Sequence, residues 1–305
     1  MPSINLNKCK QIGEYLRPIK ISDPVSRIYG KTKEEKLFFA LIFVGICHSI
    51  NYDFLSNALA KIQRQYPEKF NPEYMEKISD EELYYWLKEY PKKERIKIET
   101  RANFVRDICK KLNKFHYGSV IDLIETSNFE VPIIYKSLDV FDAYNEDPVR
   151  KKSSCFISEI LMNKIVTLKR RDLLKPQIDY HITRTILRNG LINFDSNEKN
   201  SLINFDVSDE PKTSKIRLLC IDALTEIAKH AYKDVDNIRL LYWYIGRSCC
   251  SESDPCCETC TKSECVIPRG ASFRVAKCFL SSVCDSVSDK ELRKIREPNF
   301  DTTFY

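Results

Sequence analysis

Apolar positions recur at helical spacing along most of the chain. Residues 32–50 form a long apolar-rich stretch that Thr32 is placed to cap, and residues 52–65 follow with a cleaner amphipathic period. Ser79-Asp80-Glu81-Glu82 is a capping-box signature for a helix over 83–90, which Pro91 stops. Residues 92–115 carry Ile98, Ala102, Val105, Ile108, Cys109 and Leu112 at helical spacing; Gly118 closes that unit and 120–125 opens another. Residues 128–148 read as irregular and 150–168 as helical. After Pro176 a short helix spans 179–189 and ends at Gly190. Residues 193–214 are polar and loop-like. Leu-Ile-Asn-Phe-Asp occurs twice, at 191–195 and 202–206, either as a two-strand hairpin or by chance. Helices resume at 215–232 and 234–247, and Ser288 opens a last short one. The pattern predicts an all-α fold with an N-terminal helical region (1–135) and a second helical region (136–305), packed as one two-lobed unit.

Glycine content sharpens this. Only 7 glycines occur in 305 residues, where ordinary usage gives roughly 20. No two are close enough for G-x-G-x-x-G or a phosphate-cradling P-loop, which excludes the usual nucleotide-binding folds. The most apolar stretch, 37–47, is too short to span a bilayer, and no secretion leader is evident, so a cytoplasmic protein without membrane association is expected. The net charge of +6 permits nucleic-acid binding without establishing it.

The cysteines change the picture more. Of 13, six fall within 249–265: Cys249, Cys250, Cys256, Cys257, Cys260 and Cys265. A segment this dense in cysteine and poor in apolar residues needs a cross-link to order it, and in a reducing compartment that points to thiolate-bound metal. Zinc takes four thiolates and so does a 4Fe–4S cluster.

Cys250-x6-Cys257-x2-Cys260-x4-Cys265 resembles the C-x6-C-x2-C-x5-C loop of endonuclease III and its adenine-glycosylase relatives, and the apolar helix ending in Ile245-Gly246-Arg247 leads into it as in that family. A second segment, Ile178-Asp179-Tyr180-His181-Ile182-Thr183-Arg184 with Arg188, resembles the Val-Asp-x-His-Val-x-Arg-x-x-x-Arg stretch of helix-hairpin-helix DNA glycosylases, in which the aspartate is the catalytic carboxylate. The resemblance covers roughly 179–265, under a third of the chain. It implies a helix-hairpin-helix glycosylase-like architecture with a C-terminal iron–sulfur loop, Asp179 as catalytic residue, and Cys250, Cys257, Cys260 and Cys265 as ligands of a 4Fe–4S cluster. Zinc is the alternative metal, and Cys249 and Cys256 are alternative ligands, since the last gap is one residue short.

A fainter likeness, to queuosine-salvage nucleoside glycosidases, rests on Ile178-Asp179-Tyr180-His181, Phe141-Asp142, Lys151-Lys152-Ser153-Ser154 and Lys114-Phe115-x-x-Gly118-Ser119. Both families cleave a base from a sugar. Independently of either, Asp179 follows a proline and an apolar residue at a helix start, where an N-cap carboxylate stays ionised. A fixed carboxylate can stabilise an oxocarbenium-like sugar and orient or deprotonate water. As a plain cap it would be structural only.

The family's Leu-Pro-Gly-Val-Gly hairpin is missing, since residues 150–176 contain no glycine. The lysine that makes family members bifunctional cannot be placed; Lys151, Lys152 and Lys164 are candidates by proximity alone, and a monofunctional enzyme leaving an abasic site is expected. Candidate substrate or DNA contacts are Asp142, Tyr144, Lys151, Lys152, Tyr180, His181, Arg184 and Trp243, with basic runs 150–152 and 169–171 and Lys262, Arg269, Arg274 and Lys277 offered to phosphates. For each, core packing, salt bridging or plain solvation is the competing reading. The expected function is excision of a damaged or hypermodified base from DNA by a monomer. A queuosine-type nucleoside glycosidase and a non-catalytic iron–sulfur nucleic-acid-binding protein are the alternatives.

Overall fold

A computed structural model describes residues 2–19, 27–253, 255–257, 259–260 and 278–305, and the backbone of 265–267 and 271–273. Its helices are α1 (Leu6–Leu16), α2 (Lys33–Gly45), α3 (Tyr52–Gln65), α4 (Pro72–Met75), α5 (Asp80–Leu87), α6 (Ile98–His116), α7 (Val120–Thr126), α8 (Val131–Leu138), α9 (Asp142–Asn145), α10 (Lys151–Met162), α11 (Tyr180–Arg188), α12 (Ser196–Asn204), α13 (Glu210–Ala231), α14 (Val235–Ser248) and α15 (Lys290–Lys294). Among the described residues the strands form two antiparallel pairs, β1 (Ser3–Ile4) with β2 (Ile192–Asn193) and β3 (Cys265–Ile267) with β4 (Ala271–Phe273). The fold is all-α, as the periodicity predicts.

The chain forms two units, one of residues 26–174 with 302–305, the other of 1–25 with 175–301. Residue 135, the boundary expected from the sequence, lies within α8 of the first of these.

In the 26–174 unit α2 is the central helix. Every residue from Leu37 to Gly45 is buried, and α3, α6, α7 and α10 pack around it. A helix apolar on all sides belongs inside a unit, which accounts for the 37–47 run without a membrane; no described helix is long and apolar enough to cross one. Thr32 starts α2 with a full capping box closed by Glu35. Glu34 reaches the start of α7, accepting from Ser119 Oγ (2.9 Å), Val120 N (2.6 Å) and Ile121 N (3.0 Å), so a carboxylate sits on a helix N-terminus. Residues 128–148 are not irregular: α8 and α9 occupy most of them. Pro132 sits in the first turn of α8, where a proline is tolerated.

In the other unit α1 packs along α13, and β1 pairs with β2 in the register Ser3↔Asn193, Ile4↔Ile192. The repeated Leu-Ile-Asn-Phe-Asp segments therefore do not pair with each other. The first supplies β2 and then Asp195, which opens α12 through a capping box with Glu198; the second ends α12. Helix α11 packs against α13 and α14, placing the aspartate segment beside the helix that leads into the cysteines.

Candidate functional site

Asp179 is the N-cap of α11. Its backbone is extended (φ −107°, ψ −178°), Oδ1 accepts from Ile182 N at 2.9 Å, and its carbonyl accepts from Thr183 N at 2.9 Å and Thr183 Oγ1 at 2.8 Å. The approach to it is fixed from behind. Ile178 is buried, and its carbonyl accepts two bonds from the buried Arg217, from Nε at 3.2 Å and Nη2 at 3.0 Å. Asp179 is buried, 8% exposed.

His181 follows in the first turn, its ring 4.0 Å from that of Tyr180. Nδ1 lies 3.1 Å from Arg184 Nη2. Arginine can only donate, so Nδ1 accepts and the imidazole is neutral. Burial is the main force holding the His181 pKa below its ordinary value; the Asp179 carboxylate pulls it upward and Arg184 opposes that pull.

The two arginines of α11 point at the cysteine segment. Arg184, 2% exposed, donates from Nε to Cys250 O (3.0 Å), from Nη2 to Gly246 O (3.1 Å) and from Nη1 to Glu297 Oε2 (2.8 Å). Arg188, 1% exposed, donates to Ile295 O (2.8 Å), Ser251 O (2.5 Å), Glu252 O (2.9 Å) and, at 3.4 Å, to Cys250 Sγ. Both guanidinium groups are engaged within the protein. Neither has a face turned to a phosphate, and the competing salt-bridge reading describes Arg184. Gly246 allows the close crossing of α11 and α14: a Cβ there would stand 2.3 Å from His181 O.

Of the four expected ligands, Cys250 is buried and Cys257 and Cys260 are half-buried; Cys265 opens β3, and its side chain lies outside the described residues. Burial, then the neighbouring thiols of Cys250 and Cys284, push the Cys257 thiol up to about 11. Two further cysteines that the spacing argument left aside, Cys278 and Cys284, lie in this neighbourhood: burial dominates the rise of the Cys278 pKa, with Cys249, Cys284 and Cys250 adding to it. Among the described residues no three His, Cys, Asp or Glu side chains converge closely enough to hold one ion. The residue types are those of a thiolate-bound metal, several cysteines with a guanidinium N–H directed at one sulfur, but the described side chains lack the convergence that one ion needs.

The remaining candidates are dispersed. Trp243, on α14, is half-buried with the Arg247 guanidinium 4.8 Å above its ring. In the 26–174 unit, Asp142 is exposed and accepts from Lys111 Nζ at 2.7 Å. Tyr144 is fully buried and donates to Leu41 O at 2.6 Å, so it is core rather than a surface for a base. Lys151 and Lys152 are buried too, Lys151 with Nζ 3.4 Å from Cys47 Sγ. Lys152 is 1% exposed, its ammonium 4.6 Å over the Phe104 ring and without a hydrogen-bond partner. Burial lowers its pKa to about 8, with Lys151 and Arg101 pushing the same way against Cys47 and Glu146. Arg101 bonds to the carbonyls of Ile96 and His48 and meets His48 Nε2 at 3.1 Å, so three cationic side chains and a histidine share this interior. Lys164 and residues 169–171 are exposed. Lys262, Arg269, Arg274 and Lys277 lie outside the described residues.

No family model and no curated protein matches the sequence. Among solved structures, the chain is similar to a trapped endonuclease III–DNA covalent intermediate in an estranged-adenine complex. The alignment covers 83% of this chain and 90% of that one, with a TM-score of 0.48 and 15% sequence identity.

Proposed function

We propose that this chain is a monofunctional DNA N-glycosylase acting as a monomer, with Asp179 as the catalytic carboxylate and a 4Fe–4S cluster ordering its cysteine segment. One observation carries the reading. The aspartate helix and the cysteine segment, 66 residues apart at Arg184 and Cys250, are bonded to each other by the buried Arg184 and Arg188. These contacts between the two motifs on which the resemblance rests support reading them together.

The chemistry follows from a carboxylate held at a helix start. As the C1′–N bond breaks, its electron pair leaves with the base, which takes up a proton, and positive charge grows on the sugar. Asp179 stabilises that charge and orients water, whose proton it accepts as the oxygen joins C1′. Neutral His181, donating no bond through Nδ1, serves to position Arg184. The cluster supplies structural cross-linking, since hydrolysis moves no electrons.

The test is incubation with duplexes carrying varied damaged or hypermodified bases, followed by alkali to cut abasic sites and mass spectrometry of released bases. Wild type should produce alkali-labile sites, and Asp179→Asn, which still caps the helix, should lose roughly 100-fold or more in rate. An Asp179→Asn enzyme as active as wild type sinks the assignment. Base release from free nucleosides but not from DNA would instead favour a nucleoside glycosidase.

A further inference from the structure

We propose that Arg217 is a positioning residue for Asp179: through the Ile178 carbonyl it fixes the peptide plane that aims the carboxylate at the sugar. The proposal rests on the reading of Asp179 as the catalytic carboxylate, and it names what holds that carboxylate in its working orientation.

A peptide unit is planar, so the Ile178 carbonyl and the Asp179 N–H turn together. Whatever fixes that carbonyl fixes φ of Asp179, and with it the direction in which the side chain leaves the backbone. Arg217, on α13, is 0% exposed and holds the carbonyl with two donors of its fork, Nε at 3.2 Å and Nη2 at 3.0 Å. Both donors lie in one rigid plane, so together they restrain the oxygen more than a single bond would. Bonds from a charged donor are also roughly twice as strong as neutral ones. Packing of α13 needs no cation at this point: from Ile216 to Leu224 its other buried residues, Ile216, Cys220, Ile221, Ala223 and Leu224, are hydrophobic. A buried guanidinium group is costly among such neighbours unless acceptors meet it, and here the acceptor is the carbonyl next to Asp179.

The flanking groups are held from other sides. Gln177 is buried and donates from Nε2 to Asp236 Oδ1 of α14 at 3.2 Å. The Asp179 carbonyl accepts from Thr183 Oγ1 at 2.8 Å, and the Thr183 side chain also hydrogen-bonds buried Cys220, in the next turn of α13 after Arg217. Residues 177–179 are thus tied to α14, α13 and α11 at successive positions. The cap bond from Ile182 N, at 2.9 Å, engages Oδ1 alone. A carboxylate anchored through one oxygen can still swing about that bond, and the backbone that Arg217 fixes sets where the second oxygen points. Orientation matters because a reacting group displaced by about 1 Å can lose about 100-fold in rate.

The test uses the full chain and single-turnover base release from a duplex carrying a base that wild type excises. Arg217→Met, Arg217→Lys, Asp179→Asn and the Arg217→Met/Asp179→Asn double variant are compared, with thermal melts followed by circular dichroism to confirm folding. Arg217→Met should lose roughly 100-fold in rate and Arg217→Lys, which keeps the charge and one donor, roughly tenfold, while duplex affinity stays within about twofold of wild type. In the Asp179→Asn background, Arg217→Met should cost less than about twofold, because a residue that acts through the carboxylate then has nothing left to position. A purely structural role would slow both backgrounds alike. Arg217→Lys, the milder change, carries the same comparison where Arg217→Met does not fold. A folded Arg217 variant at the wild-type rate, or an equal loss in both backgrounds, overturns the role of Arg217 and leaves Asp179 in place. An Asp179→Asn enzyme as active as wild type, or a wild type that releases no base, overturns both the proposal and the reading beneath it.

Discussion

Lys152 offers the most direct check on the interior of the 26–174 unit. Its ammonium has no hydrogen-bond partner, is 1% exposed, and has a pKa lowered from 10.5 to about 8. Each unit of pKa difference is worth about 1.4 kcal/mol, so holding the amine charged in the fold costs about 3 kcal/mol at neutral pH. The Phe104 face, 4.6 Å away, returns about 1 kcal/mol through cation–π attraction. Lys152→Met keeps the unbranched stem and places a thioether against the same ring. It should therefore stabilise the protein by about 2 kcal/mol at pH 7, raising the urea midpoint. The pH signature has a definite sign. The folded pKa lies below the unfolded one, so between about pH 8 and 10.5 the unfolded chain binds the extra proton and wild-type stability rises with pH. The advantage of the methionine variant should be full below pH 8 and shrink towards pH 10.5. Urea unfolding of both proteins at pH 7 and pH 10 measures this, and comparison within the pair cancels the other titrating groups. A variant less stable than wild type by 1 kcal/mol or more at pH 7, or an advantage that does not shrink with pH, refutes the reasoning. Either would mean that the ammonium is compensated in solution by a bound anion.

Three further outcomes bear on the Asp179 site. Arg184→Met should cost about 3–5 kcal/mol, since it strands the buried Glu297 carboxylate and releases Gly246 O and Cys250 O. Adding Glu297→Gln should recover part of that loss in denaturant titrations, and no recovery would place the cost elsewhere. Gly246→Ala should destabilise by about 1–3 kcal/mol, because its Cβ would meet the His181 carbonyl at 2.3 Å; a melting temperature unchanged from wild type would mean that α11 and α14 do not cross there. For His181 the folded pKa lies below the unfolded one, so the unfolded chain takes the proton first as pH falls. Stability should drop below about pH 6.5, and His181→Gln should flatten that part of the profile. Identical acid limbs would show that the imidazole is accessible to protons in the fold.

The legible part of this protein was its local chemistry. Thr32, Ser79 and Asp179 cap the helices that the sequence leads one to expect, because capping depends on a side chain and backbone N–H groups three residues away. The 52–65 helix is read to the residue for the same reason, its period and both ends being local. What escaped depends on distant partners. The strand at 192–193 pairs with Ser3 and Ile4, some 190 residues back, so of the two readings of the internal repeat the hairpin does not hold. Helix α1 joins the 175–301 segment, a grouping invisible to any scan for a single boundary. Pro132 and Pro211 lie in the first turns of their helices, where a proline loses no hydrogen bond that the helix would have made.

The arginines of α11 carry the larger lesson. By residue type, Arg184 and Arg188 suit a phosphate as well as a carboxylate, and a basic residue beside a candidate catalytic aspartate invites the first assignment. Burial decides otherwise: a guanidinium group sealed from water must find acceptors inside the protein, and here these are mostly backbone carbonyls of 246–252 and 295. Such acceptors leave no trace in sequence, because every residue has one. The same requirement selects the neighbours of Cys284, whose sulfur meets a buried amide and a hydroxyl. A spacing motif considers only cysteines within one loop. It weighs residue type alone and is blind to the buried partners that each side chain must find in the fold.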